Sequence, residues 1–255
     1  MDEPQVTIIV VPRERFSYTR SSLESIYTCT ESPFQLVYVD GGSPGHVKRY
    51  LETEAQKRGF TLIRTEHYLT PNEARNLGLR EVLSKYVVFL DNDVVVSPGW
   101  LKTLLQCAEE TGAWVVGPLY CMRLNPVVDK SWRFYKALEG TDERLVVHNA
   151  GGFIQIHEKS GKKYFHYKQR FSGSTVENIK ISLRREPCDF VEFHCMMVRI
   201  EVFGQLGSLD ESLLNAREYI DLCLTVLGRA GPQRMALLDK AEVEALAKEQ
   251  GERDE

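Results

Sequence analysis

The chain has 255 residues, 43% hydrophobic and 27% charged, enough for one large α/β domain or a domain with a lobe. Its net charge of −4 excludes a chain-wide basic footprint for nucleic acid. No apolar run approaches the roughly 18 residues of a membrane span, and Met1-Asp-Glu-Pro lacks a signal-peptide pattern. A cytoplasmic, soluble protein without a transmembrane segment is therefore expected, with peripheral membrane contact left open. Cys29, Cys107, Cys121, Cys188, Cys195 and Cys223 are scattered with no Cys-x-x-Cys among them, which predicts reduced, buried thiols.

In chain order, Val6–Val11 is a β-branched run closed by Pro12, a first strand. Residues 19–29 read as a helix with Leu23, Ile26 and Tyr27 on one face. Phe34–Val39 is a second strand running into Asp40-Gly-Gly-Ser-Pro-Gly45, whose glycines would let a ligand approach closely. A polar-faced helix over 46–58 and a short strand at Thr61–Arg64 follow. Thr70-Pro71-Asn72-Glu73 predicts a helix start, with Thr70 capping, Pro71 at the first helical position and Glu73 closing a capping box; the helix runs to about Ser84.

Tyr86-Val-Val-Phe-Leu-Asp91-Asn-Asp93 is the most informative stretch. An apolar run ending in acid reads as a buried strand of a covered, mostly parallel sheet. Ligands of open α/β sheets bind outside the carboxyl ends of the strands. In extended chain Asp91 and Asp93 would point the same way, and two hard oxygen ligands suit Mg²⁺ or Mn²⁺ holding a diphosphate. The competing reading is a plain turn, which Asp-Asn-Asp also favours. Ser97-Pro98 opens another helix and Trp114–Pro118 another strand, so strand and helix alternate through residue 118 and predict a doubly wound sheet.

Beyond Pro118 the pattern changes. Gly152–His157 and Lys163–Lys168 read as a hairpin within a β-rich insertion at 120–187. Cys188–Ile200 returns as strand. Residues 216–230 read as a buried helix on which Glu218 and Asp221, three apart, share a face. Arg217 is an uncertain partner for them, and a core salt bridge is the alternative to a functional role. The charged stretch from Gln233 holds one further helix at Ala241–Glu249. His148, His157, His166 and His194 show no spaced ligand pair and are read as packing or surface residues.

Together these blocks resemble the family-2 glycosyltransferases of the GT-A fold. Val6-Thr-Ile-Ile-Val-Val and Ser22-Leu-Glu-Ser-Ile are similar to that family's first strand and helix, and Val37-Tyr-Val-Asp-Gly-Gly-Ser43 to its nucleoside-contacting segment. Glu73-Ala-Arg-Asn-Leu-Gly-Leu79 resembles its Arg-Asn-x-Gly element, Phe89-Leu-Asp-Asn-Asp93 its Asp-x-Asp metal motif, and Phe190–Gly204 with Leu209-Asp-Glu211 its acceptor-side strand and turn. Glu218-Tyr-Ile-Asp-Leu-Cys-Leu224 resembles the helix carrying its catalytic base. The resemblance covers 6–118 and 188–231. It implies a Rossmann-like doubly wound, mostly parallel sheet of the GT-A type with a small β-rich insertion. Residues 1–118 would be the nucleotide-binding half and 119–232 the acceptor-side half of one domain, with 233–255 a charged tail.

The resemblance further implies an inverting, metal-assisted transfer of a sugar from a nucleotide-diphosphate donor, a UDP-sugar by expectation, to a glycan, lipid or small-molecule hydroxyl. Asp91 and Asp93 would bind Mn²⁺ or Mg²⁺. Asp40, Arg75, Asn76 and Asp91 would serve the nucleotide, with Arg75 near the phosphates and Asn76 bracing a loop. Glu218 or Asp221 would be the base, with Glu218 preferred. Two departures stand out: Tyr219 occupies the place of the family's second acid, and the sequence ends soon after Gly231, before the segment where many relatives place a His ligand. The alternative is a non-catalytic nucleotide-sugar or glycan-binding module that retains the fold. Gly41–Gly45 is not Gly-x-Gly-x-x-Gly, and Gly161-Lys-Lys is not a phosphate loop.

Overall fold

The computed structural model describes residues 4–13, 15–124, 144–214, 218–230 and 235–237. The β-branched runs form the inner strands of one sheet, buried because helices cover both of its faces. Strand β1 (Val6–Val11) leads to α1 (Thr19–Cys29), β2 (Phe34–Gly41), α2 (Gly45–Arg58), β3 (Thr61–Thr65), α3 (Pro71–Leu79) and β4 (Tyr86–Asp91). Next come α4 (Trp100–Thr111), β5 (Val115–Gly117), β6 (Tyr120–Leu124), β7 (Arg144–Asn149), β8 (Gly152–Lys159) and β9 (Lys162–Gln169). A short α5 (Val176–Ile179) precedes β10 (Cys195–Arg199), α6 (Glu201–Leu206), α7 (Glu218–Ala230) and β11 (Met235–Leu237).

The main sheet has the order β11-β5-β10-β4-β1-β2-β3. β1 pairs in parallel with both β2 and β4, and β10 alone runs antiparallel, between β4 and β5. The chain winds outward through β2 and β3, then crosses back to place β4 on the other side of β1. That reversal opens a crevice at the carboxyl ends of β1 and β4, the usual ligand position of an open α/β sheet. Alternate residues of β1 enter opposite cores: Ile8 and Val10 pack with Leu23, Leu51 and Leu104, while Ile9 and Val11 pack with Ala74, Phe193 and Val226. Gly78 of α3 lies so close to β1 that a Cβ there would sit 2.5 Å from Ile9 Cγ2.

Four expectations change. Helix α3 stops at Leu79, not near Ser84, because turn bonds from Glu81 N to Gly78 O and Val82 N to Leu79 O reroute the chain, and Ser84 Oγ is tied to Thr7 and to Tyr86 O. The strand expected from Cys188 begins only at Cys195, since Asp189 N and Phe190 bond the hairpin at Gly152. Helix α7 is not buried all round: Leu222, Cys223 and Val226 face the core while Asp221 and Thr225 are exposed. Residues 235–237, within the charged stretch set apart in the sequence, form the outer edge strand of the sheet. The capping box is present, with Thr70 N and Oγ1 both donating to Glu73 Oε2. β6–β7 and β8–β9 form two small antiparallel sheets in the expected insertion, over a satellite core of Leu119, Val147, Val176, Ile179 and Leu183. No disulfide forms among the described residues. Arg217 and the expected helix at 241–249 lie outside them.

Candidate active site

The acidic strand end was expected to present Asp91 and Asp93 side by side in extended chain. β4 instead ends at Asp91, and Val94 N bonds Asp91 O at 3.2 Å, so Asn92 and Asp93 lie in a turn. The polar turn residues compete well for such a conformation. Asn92 pins the turn: its Oδ1 accepts from Arg13 N (2.7 Å) and its Nδ2 donates to Thr19 Oγ1 (3.2 Å). Asp91 is consequently buried, while Asp93 reaches the crevice surface.

Asp91 sits among cations from three elements. Its Oδ2 lies 2.8 Å from His194 Nδ1 and 3.5 Å from Arg13 Nε, and its Oδ1 is 3.9 Å from the Arg75 guanidinium. Burial alone would raise this carboxyl, but the His194 hydrogen bond and the charges of His194, Arg13 and Arg75 hold it below the usual carboxylate range. Asp93 shifts the other way, raised by burial and by the neighbouring Asp91 charge.

Arg75 was expected to face the phosphates. It is 1% exposed and works from below the crevice. It donates to Glu218 Oε1 at 3.0 Å and Asn72 Oδ1 at 3.0 Å, with its guanidinium 3.8 Å over the Phe193 ring. Burial lowers its pKa against the opposing pull of Asp91 and Glu218. Arg75 thus ties helix α3 to β4 and α7 and sets the Glu218 carboxylate in place. Glu218 Oε2 is buried with no hydrogen-bond partner among the described residues. Glu218 and Asp221 do not share an environment: Glu218 is buried at the crevice and Asp221 is exposed. Tyr219, in the position of the second acid, packs into the core against Phe190.

Asp40 is at the end of β2, as expected, but its carboxylate is committed. Ser43 donates to it from both N and Oγ (3.1 and 2.8 Å), and Arg64 pairs with it from β3. The close approach at Gly41 is made by the chain itself, since a Cβ there would lie 2.9 Å from Leu69 N. Asn76 braces the turn after α6: Nδ2 donates to Leu209 O and Glu211 Oε1, both at 2.8 Å, and Oδ1 accepts from Leu209 N at 3.0 Å. A cavity of about 500 Å³ lined by Tyr27, Phe34, Arg58 and Phe60 opens at the opposite end of the sheet, away from these acids.

Two features escaped the sequence reading. Arg13, just past β1, lies within electrostatic reach of Asp91, Glu218 and Asp93 together, and is a partly exposed cation of the crevice. The second is a group of His148, Glu192 and His194, whose ligand atoms lie within 4.8 Å of one another. His148 comes from β7 in the insertion, while Glu192 and His194 precede β10, so no sequence spacing joins all three. Glu192-x-His194 just before a buried strand was the available signal; the two lie in the loop and turn that lead into β10. Tyr120 stacks on the His194 ring at 4.6 Å between centroids. Burial would lower His194, yet its hydrogen bond to Asp91 and the nearby carboxylate of Glu192 raise it to about 9. The Glu192 carboxyl is held well below its ordinary value against burial by His148 and His194.

A family model described as "Glycosyl transferase family 2" matches residues 7–207, most of the chain. This protein belongs to glycosyl transferase family 2. A glycosyltransferase of Rickettsia bellii (strain RML369-C) is 26% identical over 108 residues, 42% of this chain and 16% of that protein. The GalNAc(5)-diNAcBac-PP-undecaprenol beta-1,3-glucosyltransferase of Campylobacter jejuni is 22% identical over 209 residues, 77% of this chain and 65% of that one. The chain thus spans less than two thirds of the length of these relatives. Among solved structures, S. aureus TarS in complex with UDP-GlcNAc superposes with a TM-score of 0.56 at 16% identity, over 92% of this chain and 56% of that one. GalNAc-T7 with UDP, GalNAc and Mn²⁺ gives 0.62 at 16% identity, over 92% and 41%. These likenesses establish the GT-A fold. Among the described residues no helix is long and apolar enough to cross a membrane.

Proposed function

We propose that this family-2 member transfers a sugar from a UDP-sugar to a hydroxyl acceptor with inversion, assisted by a divalent cation. The observation that carries the reading is Glu218. Its carboxylate is buried at the crevice, fixed through Oε1 by Arg75, and has a second oxygen with no partner among the described residues. A fixed, charged carboxylate can accept the proton of an acceptor hydroxyl as that oxygen attacks the sugar carbon. The exposed Asp221 has no such setting, so the role falls to Glu218 rather than Asp221.

The residues present fit a divalent ion. Asp91 Oδ1 and Glu192 Oε2 are buried without hydrogen-bond partners among the described residues, and Asp93 offers a further oxygen at the crevice surface. Such an ion, when bound, neutralises the developing charge of a diphosphate leaving group. Arg13 adds a partly exposed guanidinium over the same acids, suited to a phosphate oxygen. Asn76 holds the 209–211 turn against α3, and Asp40 with Ser43 and Arg64 forms a polar ledge at the end of β2 suited to a nucleoside. UDP and UDP-GlcNAc in the TarS structures, and UDP, GalNAc and Mn²⁺ in that of GalNAc-T7, support this donor class.

Donor hydrolysis tests the proposal. UDP release from a panel of UDP-sugars should require a divalent ion, and Glu218→Gln should abolish it while UDP still protects the protein against heat. Nucleotide binding with no release from any donor would replace the enzyme reading with that of a binding module.

A further inference from the structure

His148, Glu192 and His194 carry more information than a chance cluster. They come from two separated segments, yet both imidazoles turn the same atom toward the same oxygen: His148 Nε2 is 3.1 Å and His194 Nε2 is 3.3 Å from Glu192 Oε2. That oxygen is buried and has no hydrogen bond of good geometry to either ring. Donors about 2.1 Å from a tetrahedral ion stand about 3.4 Å from one another, close to these separations. The outer contacts are those of ligands held ready. Gln169 Nε2 donates to Glu192 Oε1 at 2.7 Å, leaving Oε2 for the centre of the group. Asp91 Oδ2 lies 2.8 Å from His194 Nδ1, which keeps the proton on Nδ1 and makes Nε2 the nitrogen that gives up its proton when a metal binds. Tyr120 stacked on His194 locks the ring plane.

We propose that His148, Glu192 and His194 form a two-histidine, one-carboxylate site for a transition-metal ion of the Mn²⁺, Co²⁺ or Zn²⁺ kind. The inference deepens the reading above by adding two histidines to the acids that would hold the ion, and rests on it only for the use to which the ion is put. Imidazole donors favour these ions over Mg²⁺, which prefers oxygen. Asp91 Oδ2 then positions His194, while its Oδ1 keeps no hydrogen-bond partner among the described residues. Asp93, whose carboxyl feels both Asp91 and His194, lies next to the site, where it can receive a diphosphate-bound ion or a water. The site also explains why the insertion packs at this edge of the sheet: β7 supplies one of the three ligands.

The test needs no turnover. The full chain, stripped with EDTA and without nucleotide, is titrated with Co²⁺ and Mg²⁺ and the bound metal counted. Wild type should bind one Co²⁺ at least 100-fold more tightly than Mg²⁺, with a visible Co²⁺ band of nitrogen ligation. Glu192→Gln and His148→Gln should each weaken Co²⁺ by 100-fold or more, and Gln169→Leu by about 10-fold to 100-fold, the range for outer-shell partners. Asp221→Asn, at an exposed acid on α7 outside the group, should stay within a few-fold of wild type. Because a variant can misfold, pulsed electron paramagnetic resonance of Mn²⁺ on the wild-type chain gives an independent reading, with ¹⁴N coupling from imidazole expected. An oxygen-only Mn²⁺ signal, binding lost in Asp93→Asn but kept in His148→Gln, or no metal bound at all would overturn the site and leave an ion-paired histidine between two acids. If metal binds as stated and no UDP-sugar is cleaved, the glycosyl-transfer reading fails and the site stands.

Discussion

Replacing Arg75 with methionine is the sharpest test of how the crevice is built. The guanidinium is 1% exposed, 3.0 Å from Glu218 and 3.9 Å from Asp91, and stacked on Phe193. Removing one partner of a buried ion pair costs about 3–5 kcal/mol, because the remaining charge keeps its desolvation penalty without its compensation. The lost cation–π contact adds at most about 2 kcal/mol, partly offset because methionine still packs on the ring. Against a typical stability of about 5–15 kcal/mol, Arg75→Met removes about a fifth or more. At about 2–4 °C per kcal/mol for a domain of this size, Tm should fall by roughly 6–20 °C. The pH dependence has a definite sign. Asp91 has a lowered folded pKa, so its contribution is present above the unfolded value of about 3.9 and is lost as pH falls through the folded one. The variant's deficit should therefore be largest near neutrality and shrink below about pH 4. In the Arg75→Met background, Glu218→Gln should cost less than in wild type, with a coupling of about 1–3 kcal/mol. Thermal and urea unfolding across pH measure all three. A deficit under about 1 kcal/mol, or no coupling to Glu218, would refute the idea that this cation sets the carboxylates.

Three other outcomes follow from particular contacts. In EDTA-treated protein the His194 pKa, raised to about 9, contributes stability that is full below about pH 6.5 and lost as pH rises through about 9. Urea midpoints should fall across that window by the equivalent of roughly 3 kcal/mol, and His194→Gln should flatten the profile. Asn76→Ala orphans groups at Leu209 and Glu211, at about 1–3 kcal/mol for a buried unsatisfied partner; hydrogen exchange should speed up first at 207–214. Gly78→Ala gains helix propensity of about 1 kcal/mol, but its Cβ would meet Ile9 Cγ2 at 2.5 Å. Overpacking by about 1–3 kcal/mol should win, and Ile9→Val, which removes the δ methyl and leaves Cγ2, should give only partial rescue in denaturant unfolding.

The first half of the fold was readable because its signals are local. A β-branched run closed by Pro12 gave β1, a capping box at Thr70–Glu73 gave the start of α3, and the run into Asp91 gave β4. What local pattern cannot carry is where a side chain is spent. Asp40 looked available and is bound to Ser43 and Arg64. Arg75 was read as a cation beside the phosphates and is among the most deeply buried of the described side chains, because Glu218 and Asp91 come from distant segments to meet it. At Gly41 of the 41–45 stretch the close approach is made by Leu69, further along the chain.

The histidines mark the limit more clearly than the acids do. Glu192 and His194 sit two apart before a strand and could be paired on paper, but two ligands do not make a site. The third, His148, is 44 positions earlier in a region that carries no motif, and only the β6–β7 pairing, with Tyr120 opposite Asn149, swings it to the end of β4. The acids of β4 and α7 belong to the framework shared across the sheet. The histidine group depends on the insertion, the segment free to differ between proteins that keep the same sheet. A variant that loosens β7, such as Val147→Ala in the satellite core, should therefore weaken metal binding through His148 while leaving the Arg75–Glu218 pair, and the stability it confers on the main sheet, in place.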